Sequence, residues 1–245
     1  MIRRKSGSTA TCVLAGCVLG LATVGVALFT KTAPSLAAAD SCVTHHTNVE
    51  GYDKGLADAF GNKGYIYINT SSVIGSLHDD IARSLAVIFP NGDDVEVGWF
   101  ADPQAGYHNP TVYAEWINHG VDSGTQPDTS FSLSENSDVR FRVENVGDND
   151  IWRFVVDGQS SPFNYSPTME YNYGQPLTNS EHYNSCDSLY TDMYDLSDAS
   201  SPGYWQSSYT NLECYIDTSV NDWYFHKISN SELDVTQTSS TCPGP

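Results

Sequence analysis

Positive charge is scarce in this 245-residue chain. Eleven Lys and Arg stand against 30 Asp and Glu, a formal charge of −19. Arg3, Arg4, Lys5 and Lys31 fall in the first 39 residues, which hold no acid, so the remainder carries 7 basic and 30 acidic residues. A surface of that sign repels phosphate backbones and anionic lipid, which argues against nucleic-acid binding and against peripheral attachment to acidic membranes. Helical periodicity is lacking too, apart from a turn or two near Asp80 to Ser84. The familiar signatures of metal and nucleophile chemistry are also missing. There is no His-Glu-x-x-His, no G-x-S-x-G elbow, no Gly-rich phosphate loop, no calcium loop and no C-x-x-C pair. The closely spaced acidic triplet of many sandwich glycosidases is absent. No cofactor and no metal is called for, and His45-His46 read as solvent-exposed.

What is present begins with an export signal. Arg3-Arg4-Lys5 is a basic n-region, Cys12 to Phe29 is apolar, and Ala37-Ala38-Ala39 offers a cleavage site before Asp40. The expectation is a secreted chain, with residues 1–39 lost and no membrane contact afterwards. Leu14-Ala15-Gly16-Cys17 also fits a lipoprotein box, and a lipid anchor through Cys17 is the alternative. Four cysteines remain: Cys42, Cys186, Cys214 and Cys242. An even count in an exported chain reads as two disulfides with three connectivities open. Cys186–Cys214 together with Cys42–Cys242, which would tie the two ends, is the favoured pairing.

With 5 Trp, 15 Tyr and 9 Phe the chain has the apolar area for a core. Short alternating runs dominate: Tyr65 to Ile68, Ser84 to Phe89, Asp94 to Phe100, Thr111 to Ile117, Asp138 to Glu144 and Ile151 to Val156. Later runs are Thr168 to Tyr173, Ser188 to Leu196 and Trp223 to Ile228. Pro90-Asn91-Gly92 and Val146 to Asp150 are turn signals between neighbours. The pattern predicts an all-β antiparallel sandwich or barrel over residues 64–236. An irregular segment at 40–63 and a loose tail at 237–245 complete the division, and the domain is expected to be a monomer.

Glu96 is the residue that most needs explaining. Alternation puts Val95, Val97 and Trp99 on one face of a strand and Glu96, Gly98 and Phe100 on the other. A mid-strand Glu between apolar neighbours is a poor β-former. Gly98, two residues on, leaves room for a ligand backbone. A second polar, strand-like stretch, Asn179-Ser180-Glu181-His182-Tyr183-Asn184, has no evident core face.

Val95-Glu96-Val97-Gly98-Trp99 resembles the Ile-Glu-Ala-Gly-Trp strand of the neprosin family of secreted glutamic peptidases. Ser180-Glu181-His182-Tyr183-Asn184 is similar to that family's later Gly-Glu-Val-Tyr segment. The resemblance runs over roughly Tyr65 to Tyr194 and extends to small secreted actinobacterial proteins with the same pattern. The Cys-rich segment that follows the Gly-Trp strand in plant members has no counterpart here. The resemblance implies a concanavalin-like sandwich (jelly roll), two catalytic residues at Glu96 and Glu181, and a peptide or protein substrate cleaved at acid pH. The fungal glutamic peptidases of the same architecture carry a Gln at the first position. Trp99, Phe100, Tyr113 and Trp116 would line the peptide cleft, with His182 beside Glu181.

Two other readings compete. A lectin-like sandwich would bind a glycan through aromatics such as Tyr165, Tyr171, Tyr173, Tyr204 and Trp205. A secreted structural or interaction domain would use neither Glu. The discriminating feature is whether the two carboxylates share one face.

Overall fold

The computed structural model describes residues 44–54, 58–69, 81–102, 105–147, 149–157, 159–160, 163, 166–184, 191–217 and 224–236. They belong to one compact unit, Cys42–Pro245. The strands in chain order are β1 (Thr44–Asp53), β2 (Gly61–Ile68), β3 (Ile81–Ile88), β4 (Asp94–Asp102), β5 (Tyr107–Asn118), β6 (Val121–Ser132), β7 (Ser137–Asn145), β8 (Trp152–Val156), β9 (Gln159–Ser160), β10 (Gln175–Asn184), β11 (Thr191–Ser201), β12 (Tyr204–Trp205), β13 (Leu212–Asp217), β14 (Tyr224–Ser229) and β15 (Glu232–Thr236). Every strand pairing among them is antiparallel.

Two sheets result. The first has the order β13-β1-β10-β3-β4-β5-β6; the second runs β14-β15-β11-β2-β7-β8-β9, with β12 added on β11. This is the antiparallel sandwich that the alternating runs predict. Side chains alternate across each strand, so each sheet has one apolar and one polar face. Leu85, Val87, Val95, Val97, Trp99, Val112, Ala114 and Trp116 form the inner face of the first sheet. Ile66, Ile68, Val139, Phe141, Val143, Phe154 and Val156 form that of the second. Contacts between the sheets include Trp116 stacked on Phe154 at 6.3 Å between ring centres and Phe89 tilted on Trp152 at 5.2 Å. A polar tie crosses the same gap. Asn62 of β2 donates to the carbonyls of Ala86 (3.0 Å) and Leu177 (2.7 Å), and Tyr209 donates to its side-chain oxygen.

Three expectations need correction. Within the segment 40–63, expected to be irregular, Thr44–Asp53 is β1, and β2 begins at Gly61. The β1 sequence, Thr44 to Asp53, is mostly polar, so no apolar alternation marks it. Ile81 to Ser84 is strand and not a helical turn. Thr168 to Tyr173 is irregular apart from a bridge between Ile151 and Thr168, and the strand follows it at Gln175. Pro167 supplies a carbonyl to Trp152 there, and Met169 and Tyr171 pack as loop residues under the core edge.

Candidate active site

Cross-strand register determines which residues share the outer face of the first sheet. Asn179 pairs with Ser84, Ser84 with Gly98, and Gly98 with Tyr113. One row lies Glu181, Ala82, Phe100 and Thr111; another lies Ala86, Glu96 and Glu115. Directly paired residues point the same way, so Glu96 and Glu181 stand on one face, separated by β3. The outward residues of β3 in the rows between Glu96 and Glu181 are Ala82, Ser84 and Ala86. All are small, and Gly98 beside them has no side chain. The floor between the two carboxylates is therefore low, with Phe100 and Tyr113 on the β5 side of it and Asn179 on the β10 side.

Glu96 is half-buried and held at both oxygens. Tyr113 donates to Oε1 at 2.7 Å and Ser84 donates to Oε2 at 3.0 Å. Its pKa is raised well above the ordinary carboxylate value. Burial is the largest cause, followed by the charges of Glu115, Asp94 and Glu181, with the Tyr113 hydrogen bond opposing them. Glu115 sits directly opposite Glu96 in the β4–β5 register, a like-charged cross-strand pair. The Tyr113 phenol is likewise raised, by burial and then by Glu96 and Glu181. Both carboxylates thus act electrostatically on one phenol, and they act on each other.

Glu181 accepts from Asn179 Nδ2 at 3.1 Å. Its backbone is held from below: Arg83, fully buried on the inner face, donates to the carbonyls of Glu181 (3.0 Å) and Ala82 (2.7 Å). Gly98 serves a purpose different from the one expected. A β-carbon there would collide with the carbonyl of Arg83 and lie 2.7 Å from the Cα of Ser84. What approaches at Gly98 is the chain's own β3, and that closeness seats the Ser84 hydroxyl against Glu96.

The remaining predicted residues divide. Phe100 is on the outer face, with its ring edge-on to Tyr113 at 5.6 Å and to Tyr107 at 4.9 Å. Tyr113 is a carboxylate partner, 4 % exposed, and not an open cleft wall. Trp99 and Trp116 are core residues, on the opposite face from Glu96, so neither lines a cleft. Alternation and register dictate this: Trp99 shares parity with Val95 and Val97, and Trp116 shares parity with Val112 and Ala114 and lies opposite Val95. The side chain of His182 lies outside the described residues, as do Cys17, Cys42, Cys186 and Cys242. Cys214 is disulfide-bonded, and its partner is outside the described residues.

Ser84, Glu115 and Asn179 were not singled out from sequence. Glu115 carries the same signal as Glu96, an acid between apolar strand residues. Ser84 and Asn179 carry no signal until register places them. Beyond Phe100, the row reaches a recess of about 440 Å³ lined in part by Tyr107, His108, Thr111, Phe131 and Glu135. Away from the site, Asp93, His119 and Glu170 bring ligand atoms within 4.8 Å of one another. The Asp93 oxygens already accept from Asn91 Nδ2 (2.7 Å) and from the N–H groups of His119 (2.9 Å) and Gly120 (2.8 Å), so this group reads as a turn lock.

Solved structures of similar fold exist. The scytalido-glutamic peptidase, solved with a peptide-based transition-state analogue, superposes with a TM-score of 0.55 at 10% identity over 81% of this chain and 100% of its own. SCP-B, a member of the eqolisin family of peptidases solved with the tripeptide Ala-Ile-His, gives 0.47 at 10% identity over the same shares. Chicken galectin 2 gives 0.33 at 14% identity over 55% of this chain and 91% of its own. No family model matches the chain, and no curated protein matches it. At these identities the likeness shows a fold, the glutamic-peptidase sandwich.

Proposed function

We propose that this chain is a glutamic-type endopeptidase of neprosin-like kind that hydrolyses peptide bonds in acid with Glu96 and Glu181. The observation that carries the reading is the environment of Glu96. Burial and the flanking acids, Glu181 among them, favour its neutral form against the opposing hydrogen bond from Tyr113. Two carboxylates that feel each other do not both ionise cheaply, so one holds a proton while the other is a base. In the proposed reaction, Glu181 takes a proton from a water as the water oxygen bonds to the scissile carbonyl carbon. The neutral Glu96 donates a hydrogen bond to the oxyanion that forms. The tetrahedral species then collapses, the C–N bond breaks, and the proton on Glu181 passes to the leaving amine. Glu96 ends as it began, and Glu181 is again ionised.

Phe100 and the recess at Tyr107 and Thr111 extend the same row and would receive substrate side chains. Export after loss of residues 1–39, action as a monomer, and the pairs Cys186–Cys214 and Cys42–Cys242 complete the proposal. The test is digestion of an acid-denatured protein by the purified chain between pH 3 and pH 7, with Glu181→Gln alongside. The proposal predicts fragments from the wild type in acid and none from Glu181→Gln. Absence of cleavage by the wild type, or equal cleavage by both, would overturn it.

A further inference from the structure

The basic residues of this acidic chain are not scattered. After Lys31 they are Lys54, Lys63, Arg83, Arg140, Arg142, Arg153 and Lys227. Four of these seven, Lys63, Arg140, Arg142 and Arg153, share the outer face of the second sheet on three adjacent strands. In register, Tyr65 of β2 lies opposite Arg140 of β7, and Lys63 lies opposite Arg142. Val155 of β8 lies opposite Arg142, and Arg153 lies opposite Glu144. This corner is remote in topology from Glu96 and Glu181, which stand on the other sheet.

The cluster is under-neutralised. Glu144 serves two guanidinium groups, Arg142 at 3.3 Å and Arg153 more closely. Lys63 and Arg140 take part in no ion pair among the described residues. They rest on aromatic rings: Lys63 Nζ lies 4.4 Å from the Trp205 ring centre, and the Arg140 guanidinium lies 5.7 Å from that of Tyr65. Arg142 is 6.0 Å from the same Trp205 ring. Mutual repulsion is felt, since Arg140 and Arg142 add to burial in lowering the Lys63 pKa, with Asp195 and Glu144 opposing them by a smaller amount. Trp205 reaches this position by folding over Gly61, where a β-carbon would lie 3.0 Å from its ring. Tyr204, its neighbour, is 73 % exposed. A depression of about 230 Å³ opens between Tyr65, Arg140, Arg142, Val155 and Asp157.

The chemistry of an occupant follows from what this corner offers. The backbone groups of β2, β7 and β8 are engaged in the sheet ladders, so a ligand meets side chains only. Those side chains are cations in a row with aromatic rings and an apolar floor. Planar guanidinium groups match carboxylates, and the rings and floor match the flat, partly apolar faces of sugars. Acids bound the area: Asp157 at the rim of the depression, with Asp138, Asp192, Glu232 and Asp234 further along the same face. An anion is therefore steered to this corner and repelled around it. We propose that the outer face of the second sheet, at Lys63, Tyr65, Arg140, Arg142 and Trp205, is a binding site for a linear carboxylated polysaccharide (a polyuronate). The site is independent of the peptidase reading and would hold the protein on an acidic matrix.

The experiment is affinity electrophoresis of the purified chain through gels containing polygalacturonate at neutral pH and low salt, with dextran and poly-glutamate gels in parallel. Retardation in polygalacturonate, relieved by salt, is expected. The double variant Lys63→Gln/Arg140→Gln is expected to bind at least tenfold more weakly, and Arg140→Gln alone to show part of that loss. Lys54→Gln removes the same unit of charge elsewhere and is expected to bind as the wild type does. An unchanged melting temperature in the variants shows that the fold is intact. No retardation of the wild type would overturn the proposal, as would equal retardation by dextran, stronger retardation by poly-glutamate, or equal losses in Lys54→Gln and Arg140→Gln.

Discussion

Glu115 and Tyr113 act on Glu96 with opposite sign, and each can be tested alone. The Glu115 charge raises the Glu96 pKa and the Tyr113 hydrogen bond lowers it. In the proposed reaction Glu96 works in its neutral form, so activity is lost as pH rises through its raised pKa. Glu115→Gln removes a like charge. It is predicted to move the alkaline limb of the kcat/KM profile to lower pH while leaving the rate in strong acid within about tenfold of wild type. Tyr113→Phe is predicted to move the same limb upward, with a loss of about ten- to a hundredfold in kcat from poorer placement of the carboxyl group. Glu96→Gln supplies a permanent donor in nearly the shape of a protonated carboxyl. It is predicted to keep more activity than Glu181→Gln and to lose the limb that Glu96 sets. A pH–rate series on the three variants checks all of this.

At the scale of elements, the site depends on how closely β3 approaches β4. Gly98→Ala places a methyl group against the Arg83 carbonyl and the Ser84 Cα, so the two strands must part. Overpacking of that kind costs about 1–3 kcal/mol. It also draws the Ser84 hydroxyl from Glu96, so urea titration and kcat are predicted to fall together. Such a contact explains what was legible beforehand and what was not. Strands with one apolar face declared themselves: Asp94 to Phe100, Asp138 to Glu144 and Ile151 to Val156 all appear, because burial on one side imposes period two. β1 did not, because its sequence shows no apolar alternation, whereas the polar stretch Asn179 to Asn184 read as strand-like and is the end of β10. Glu96 stood out as an acid within such a strand, and Glu115 had the same standing. Ser84 and Asn179 could not be found without register, which two short sequence motifs do not specify. Trp99 and Trp116 were misplaced by weighing residue type over parity.

For the molecule as a whole, buried acids tie stability to acidity. Asp198 is fully buried, and among the described residues its carboxylate oxygens have no partner beyond its own N–H. Burial first, with the nearby Asp53 adding, raises its pKa from 3.8 to about 6. The folded state therefore holds this proton more tightly than the unfolded chain, and stability falls as pH rises from about 4 to about 6. Across that window the loss is about 3 kcal/mol. Asp198→Asn is predicted to remove it, so that unfolding midpoints in urea at pH 4 and pH 7 draw together. Asp198 and Glu96 thus both hold their protons further up the pH scale than ordinary carboxyl groups do. Whether residues 96 and 181 form one ionising system is then the decisive matter, and carboxyl ¹³C NMR titration of Glu96 reads it directly. The account predicts a Glu96 pKa well above the ordinary range that drops on Glu181→Gln. An ordinary value for Glu96, or a raised one indifferent to Glu181, would contradict it.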